Sequence, residues 1–198
     1  MIRLSQYIQR IANVILFALP GQYRKRKIHV LEEMYRLSID LLKETGEPYW
    51  LDFGTLLGYY RSGGIIPHDV DIDVAMMESS YEKIKELKNK MPKGLKFYDT
   101  SANHEGPKVY FSYKGYDFDI FFYEDKEENI RTFVDANYPN ERQLIPKELV
   151  YPLKKDEFLG LEITVPNNTK GYLELMYGYL GTGGSRDPQT GLWQAPKT

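Results

Sequence analysis

The chain has 198 residues, enough for one domain or for one domain with an added arm. Apolar residues make up 42% and aromatic residues 14%, which supplies a core and argues against disorder. A formal net charge of −2 gives no overall pull toward nucleic acid, and the absence of cysteine excludes disulfides, thiolate metal sites and a cysteine nucleophile.

Near the N-terminus, Leu4, Ile8, Ile11, Ile15 and Ala18 fall at helical spacing. The apolar run from Val14 to Leu19 is too short to span a bilayer, and no signal-peptide cleavage site follows it. Residues 2–19 therefore read as an amphipathic helix, either packed on the domain or lying on a membrane face. The basic flank Arg24, Lys25, Arg26 and Lys27 would attract anionic lipid in the second case. "GQYRKRK" reads as a joint, which divides the chain into an arm, 1–27, and a domain, 28–198.

From Lys27, the spacing of Ile28, Leu31, Met34, Tyr35, Leu41 and Leu42 predicts a helix ending near "TGEP" (45–48). "YWLDF" (49–53) reads as a short strand, "GTLLGYYR" as a short helix and "DIDVAMM" (71–77) as a strand. "SSYEKIKELKNKM" predicts a helix capped by Ser79 or Ser80. "LKFYDT", "KVYFSYKG", "YDFDIFFYED" and "NIRTFVD" are rich in aromatic and branched residues and read as strands, with Lys114-Gly115 turning a hairpin. "FLGLEITVP" reads as a second hairpin. "NNTKGYLELMYG" reads as a helix with an Asn or Thr cap and Gly178 at its end. The Gly/Pro-rich close of the chain reads as an irregular tail. The fold class is α+β, a small mixed sheet with helices on one face.

Chemistry concentrates in two strands. Alternation along a strand puts Asp71 and Asp73 on one face and turns Ile72 and Val74 to the other. Asp117 and Asp119 repeat the pattern, with Asp119 set against Ile120-Phe121-Phe122. Adjacent carboxylates repel, and a divalent cation removes the conflict; hard cations such as Mg²⁺ take oxygen ligands. If the two strands are neighbours, Asp71, Asp73 and Asp119 converge as a candidate metal site for phosphoryl transfer. Asp117 is open to solvent exposure or to a role. "DFGTLLG" adds Gly54 and Thr55 at a strand-to-helix turn, where backbone N–H groups bind anions, and Arg61 could clamp a phosphate. His68 is a positioning or stacking residue, or a general base. The three histidines, His29, His68 and His104, make no zinc pattern.

At these residues the sequence resembles the LicD/fukutin family of the nucleotidyltransferase superfamily. The resemblance rests on "DFGTLLGYYRSGGIIPHDVDID", on "DFDIFFYED" and on "VPNNTKGYLELMYG", with "DPQTGLW" similar to the fukutin branch, and covers 47–193. It implies a nucleotidyltransferase-like mixed sheet with helices packed on it. It also implies a transferase moving a phospho-substituent, such as phosphocholine or a polyol phosphate, from a CDP-linked donor to a sugar hydroxyl. The acceptor would be a cell-surface glycan or glycoconjugate, lipopolysaccharide among them. Carried over by position, Asp71, Asp73 and Asp119 would hold Mg²⁺ or Mn²⁺, with Asp69 preceding them and Asp119 or Asp69 as base. Gly54, Thr55, Arg61 and His68 would face the donor. Val70 and His68 depart from the family pattern, where many members carry another polar residue and Trp. No stem, membrane anchor or cysteine-rich zinc site is expected, which fits a cytoplasmic protein, peripheral at the inner membrane face if residues 2–27 touch lipid. The competing readings are a nucleotidyltransferase acting on a small molecule and a catalytically inactive glycan- or nucleotide-binding module.

Overall fold

A computed structural model describes residues 22–133 and 144–196. The helix expected at residues 2–19 lies outside them. Among the described residues no helix is long and apolar enough to cross a membrane.

Helix α1 (Gln22–Thr45) starts earlier than the spacing from Lys27 suggests and takes in most of the stretch read as a joint. Its apolar stripe, Leu31, Met34, Tyr35, Ile39 and Leu42, is buried. Lys27 is one turn before Leu31 on that stripe and is 1% exposed, so it is not the surface charge expected of a basic flank. Strand β1 (Tyr49–Leu51) follows and stops short of Asp52, because Asp52 caps helix α2 (Phe53–Ser62).

Strand β2 (Asp71–Met77), β3 (Lys96–Asp99), β4 (Lys108–Tyr113) and β5 (Tyr116–Lys126) join β1 in the order β1-β2-β5-β4-β3. The pair β2–β5 is parallel and the others are antiparallel. The turn at Lys114 and Gly115 has φ of 49° and 89°, the left-handed pair that a two-residue hairpin needs. β6 (Asn129–Thr132) pairs with β5 and with β7 (Ile145–Pro146). Helix α3 (Tyr81–Glu86) follows Ser80, whose hydroxyl bonds Glu47 at 2.7 Å and makes no side-chain cap.

After the short helix α4 (Lys147–Val150), the expected hairpin forms from β8 (Lys154–Phe158) and β9 (Leu161–Val165). Helix α5 (Thr169–Tyr177) is capped by the Asn168 side chain and ends at Gly178. The stretch expected to be irregular carries a short ladder between β10 (Ser185–Arg186) and β11 (Trp193–Gln194).

The helices lie on both faces of the sheet, not on one. Tyr81 of α3 meets Phe122 edge-on, on the face of Ile72, Val74, Phe118 and Ile120, and α1 packs with α3. Phe53 of α2 meets Phe121, and Tyr172 of α5 bonds Tyr123, on the opposite face, which carries the aspartates. The purely apolar face thus carries the core, while the other is part core and part site.

Candidate active site

Register decides the site. In the parallel pair β2–β5, Asp71 stands opposite Asp117 and Asp73 opposite Asp119. The two alternating patterns are in phase, so all four side chains share a face. Ligand atoms of Asp71, Asp73 and Asp119 lie within 4.8 Å of one another. Asp117 is buried on the same face and outside that trio.

Asp73 is 8% exposed. Burial pushes its carboxyl well above the usual carboxylate range, and the charges of Asp71, Asp119, Asp52 and Asp69 push it further. Oxygen donors crowded in this way fit a hard divalent cation such as Mg²⁺ or Mn²⁺, which offsets both the repulsion and the desolvation.

The turn before α2 closes over the trio. Phe53 has φ of 40°, a strained value for a bulky residue, held by its ring against Phe121 at 4.5 Å. Gly54 comes next. A Cβ there would lie 3.0 Å from Asp69 Oδ2 and 3.4 Å from Asp73 Oδ2, so the carboxylates approach as closely as a bare backbone allows. Thr55 is buried, and its hydroxyl accepts from Asp73 N–H at 2.8 Å while its own N–H donates to Asp73 Oδ2 at 3.4 Å. These bonds position Asp73. Further along α2, a Cβ on Gly58 would sit 2.5 Å from Gly64 O, so only glycine lets the helix pass this close to the loop leading to β2.

That loop carries Asp69, whose side chain is 20% exposed. Burial and then the Asp71 charge push its carboxyl up to about 6, against the pull of His68, Lys27 and Arg61. His68 itself is 86% exposed, with Nε2 3.9 Å from Asp69 Oδ1. Arg61 carries backbone contacts that the sequence did not show. It donates from Nε to Leu180 O at 2.7 Å and from Nη2 to Gly181 O at 2.9 Å, tying α2 to the segment after α5.

Sequence reasoning missed Asp52. It is fully buried, and its carboxylate accepts from Phe53 N–H at 2.8 Å, Tyr123 OH at 2.6 Å and Tyr172 OH at 2.7 Å. Its N–H donates to Asp73 O at 3.1 Å, so it fixes the turn relative to β2. Desolvation raises its carboxyl to about 6 against the three donors. An aspartate before a Gly-Thr turn is itself a capping signal, though its tyrosine partners lie 71 and 120 residues away.

The family model described as "LicD/FKTN/FKRP, nucleotidyltransferase domain" matches residues 46–168. The chain belongs to the LicD/FKTN/FKRP family. The matched stretch holds the Gly-Thr turn and both aspartate strands, but not Lys27, Tyr172 or Leu180. The Ribitol-5-phosphate transferase FKTN of Mus musculus is 30% identical over 169 residues, which cover 79% of this chain and 33% of that protein. An uncharacterized protein of Rickettsia typhi is 29% identical over 154 residues, covering 77% of this chain and 47% of its own length. The chain therefore spans between a third and a half of these two relatives. The crystal structure of ANT(2")-Ia in complex with adenylyl-2"-tobramycin matches with a TM-score of 0.47 at 12% identity, over 69% of this chain and 68% of that one.

Proposed function

We propose that this chain is a transferase that moves a phospho-substituent, such as phosphocholine or ribitol phosphate, from a CDP-linked donor to a sugar hydroxyl of a glycan. The observation that carries the reading is the in-phase pairing of two Asp-x-Asp strands, which gathers Asp71, Asp73 and Asp119 within 4.8 Å beneath the Gly-Thr turn. Membership of the LicD/FKTN/FKRP family and the likeness to a ribitol-5-phosphate transferase support it. Asp71, Asp73 and Asp119 would hold Mg²⁺ or Mn²⁺. Such an ion supplies charge neutralisation for phosphoryl oxygens.

The chain's own residues then have defined roles. Gly54 keeps the turn free of a side chain where the donor phosphate approaches. Thr55 and Asp52 hold Asp73 and the turn in register. Asp69, partly exposed and beside Gly54, accepts the proton of the acceptor hydroxyl. The acceptor oxygen forms a bond to the phosphorus of the transferred group as the bond to CMP breaks, and CMP leaves.

Mass spectrometry of reactions with a panel of CDP-linked donors and glycan acceptors tests this. Release of CMP with a mass gain of the substituted phosphate on the acceptor is expected. Pyrophosphate release from a nucleoside triphosphate would instead support transfer of a nucleotidyl group, the chemistry named in the family description. Nucleotide binding with no product and no dependence on metal would leave the inactive binding module.

A further inference from the structure

The buried stripe of α1 contains a position where an apolar residue would pack at no electrostatic cost. Lys27 occupies it, four residues before Leu31 and 1% exposed. Its ammonium donates to Pro67 O at 2.7 Å, forty residues along the chain. A buried ammonium is costly unless its surroundings repay it. The residues around Pro67 show what is gained.

Pro67 is in the turn that leads into β2, closed by the bond from Asp69 N–H to Ile66 O at 3.0 Å. Ile66 is held from one side by α2, where a Cβ on Gly58 would reach its Cγ1 at 3.1 Å. Lys27 holds the next residue from the side of α1. Between these two restraints the turn leaves His68 in solvent and brings Asp69 Oδ2 to within 3.0 Å of a Cβ position on Gly54.

We propose that Lys27 is a positioning residue of the active site, holding the 66–69 turn, and with it Asp69, against the Gly-Thr turn through the Pro67 carbonyl. The proposal rests on the reading of the aspartate cluster as a catalytic site. It places part of that site's support in a helix that precedes the family-matched stretch, 46–168.

Hydrogen exchange of the full chain, read by mass spectrometry without added metal or donor, tests the mechanical half. Lys27→Met keeps the length of the stem and removes the charge and the donor. Peptides covering 64–70 are expected to exchange about tenfold faster, with 31–42 and 118–123 unchanged. Turnover of a CDP-linked donor tests the catalytic half. The kcat is expected to fall at least about tenfold with a smaller change in KM, because Asp69 is misplaced rather than the donor site lost. Lys27→Arg, which keeps charge and donor, restores both readouts in part. Lys27→Gln takes the place of Lys27→Met if that variant does not fold. Unchanged exchange at 64–70 overturns the proposal. Equal acceleration throughout the chain overturns it too, because Lys27 would then be a general stabiliser. Local acceleration with kcat intact does the same. If the wild-type protein turns over no CDP-linked donor, the functional reading has failed, and the exchange arm still decides whether Lys27 holds the turn.

Discussion

Two buried carboxylates stand at the two ends of one backbone hydrogen bond. Asp52 and Asp73 are both withdrawn from water, and the N–H of the first donates to the carbonyl of the second. Their surroundings are opposite. Asp52 receives three donors, two from tyrosines and one from its own helix, and is complete without a ligand. Asp73 receives one long bond, from Thr55 N–H at 3.4 Å, and is ringed by Asp71, Asp119, Asp52 and Asp69. The difference separates a carboxylate whose partners complete the fold from one whose neighbours repel it, which in the proposed function is the one that would hold a cation. Burial alone does not tell them apart; the sign of the neighbours does.

The sharpest way to break the comparison is to neutralise each carboxylate in turn. Asp73→Asn is expected to lower turnover about a thousandfold, since it removes several kcal/mol of transition-state charge stabilisation. Its thermal stability without metal should be equal to wild type or higher, because repulsion is relieved. Mn²⁺ is expected to raise the wild-type Tm and to leave that of Asp73→Asn unchanged, by binding linkage. A scan with and without EDTA checks both.

Asp52→Ala should do the reverse, with its cost appearing in stability. Two buried tyrosine hydroxyls lose an acceptor and α2 loses its cap, a loss of about 2–4 kcal/mol in urea unfolding near pH 5. The pH dependence has a definite sign. The folded-state carboxyl sits at about 6, above its unfolded value near 3.8, so its stabilising contribution is full below the lower value and declines as pH rises through about 6. The gap between wild type and Asp52→Ala is therefore expected to be smaller at pH 8 than at pH 5.

Gly54→Ala tests the space beside Asp73 on the side of Asp69. The added Cβ would displace Asp69 or Asp73 by a few tenths of an ångström. Turnover is expected to fall about tenfold to a hundredfold with little change in Tm, a smaller loss of activity than in Asp73→Asn and without the loss of stability of Asp52→Ala. The smallest effect is expected at His68, exposed and in loose contact with Asp69. His68→Ala should change stability by less than about 0.5 kcal/mol in the same urea assay.

The sequence makes one half of this comparison visible. Period-two alternation puts Asp71 with Asp73 and Asp117 with Asp119, and the bounds of β2 follow directly from "DIDVAMM". Parallel pairing and its register were not visible, because they are set by contacts between segments more than forty residues apart. Asp52 was absorbed into the neighbouring strand, since its two tyrosine donors enter from β5 and α5. Lys27 looked like part of a solvated basic run because pattern reading gives lysine to the surface, and the carbonyl that accepts it lies in a distant loop. Arg61 has the chemistry of a phosphate clamp, but tertiary packing commits two of its N–H groups to Leu180 and Gly181.

Those last bonds bear on where the unit can be cut. Helix α2 is fastened at its start through Asp52 to Tyr172 and at its end through Arg61 to Leu180 and Gly181. Both fastenings come from one stretch, 172–181, beyond residue 168, where the family match stops. A chain ended there would keep every aspartate of the site and still lose the Tyr172 bond at the start of that helix and both Arg61 bonds at its end. The supported unit is thus longer than the stretch that carries the family signature, and grafting or truncation at the signature's border would keep the aspartates while removing part of what anchors the helix beside them.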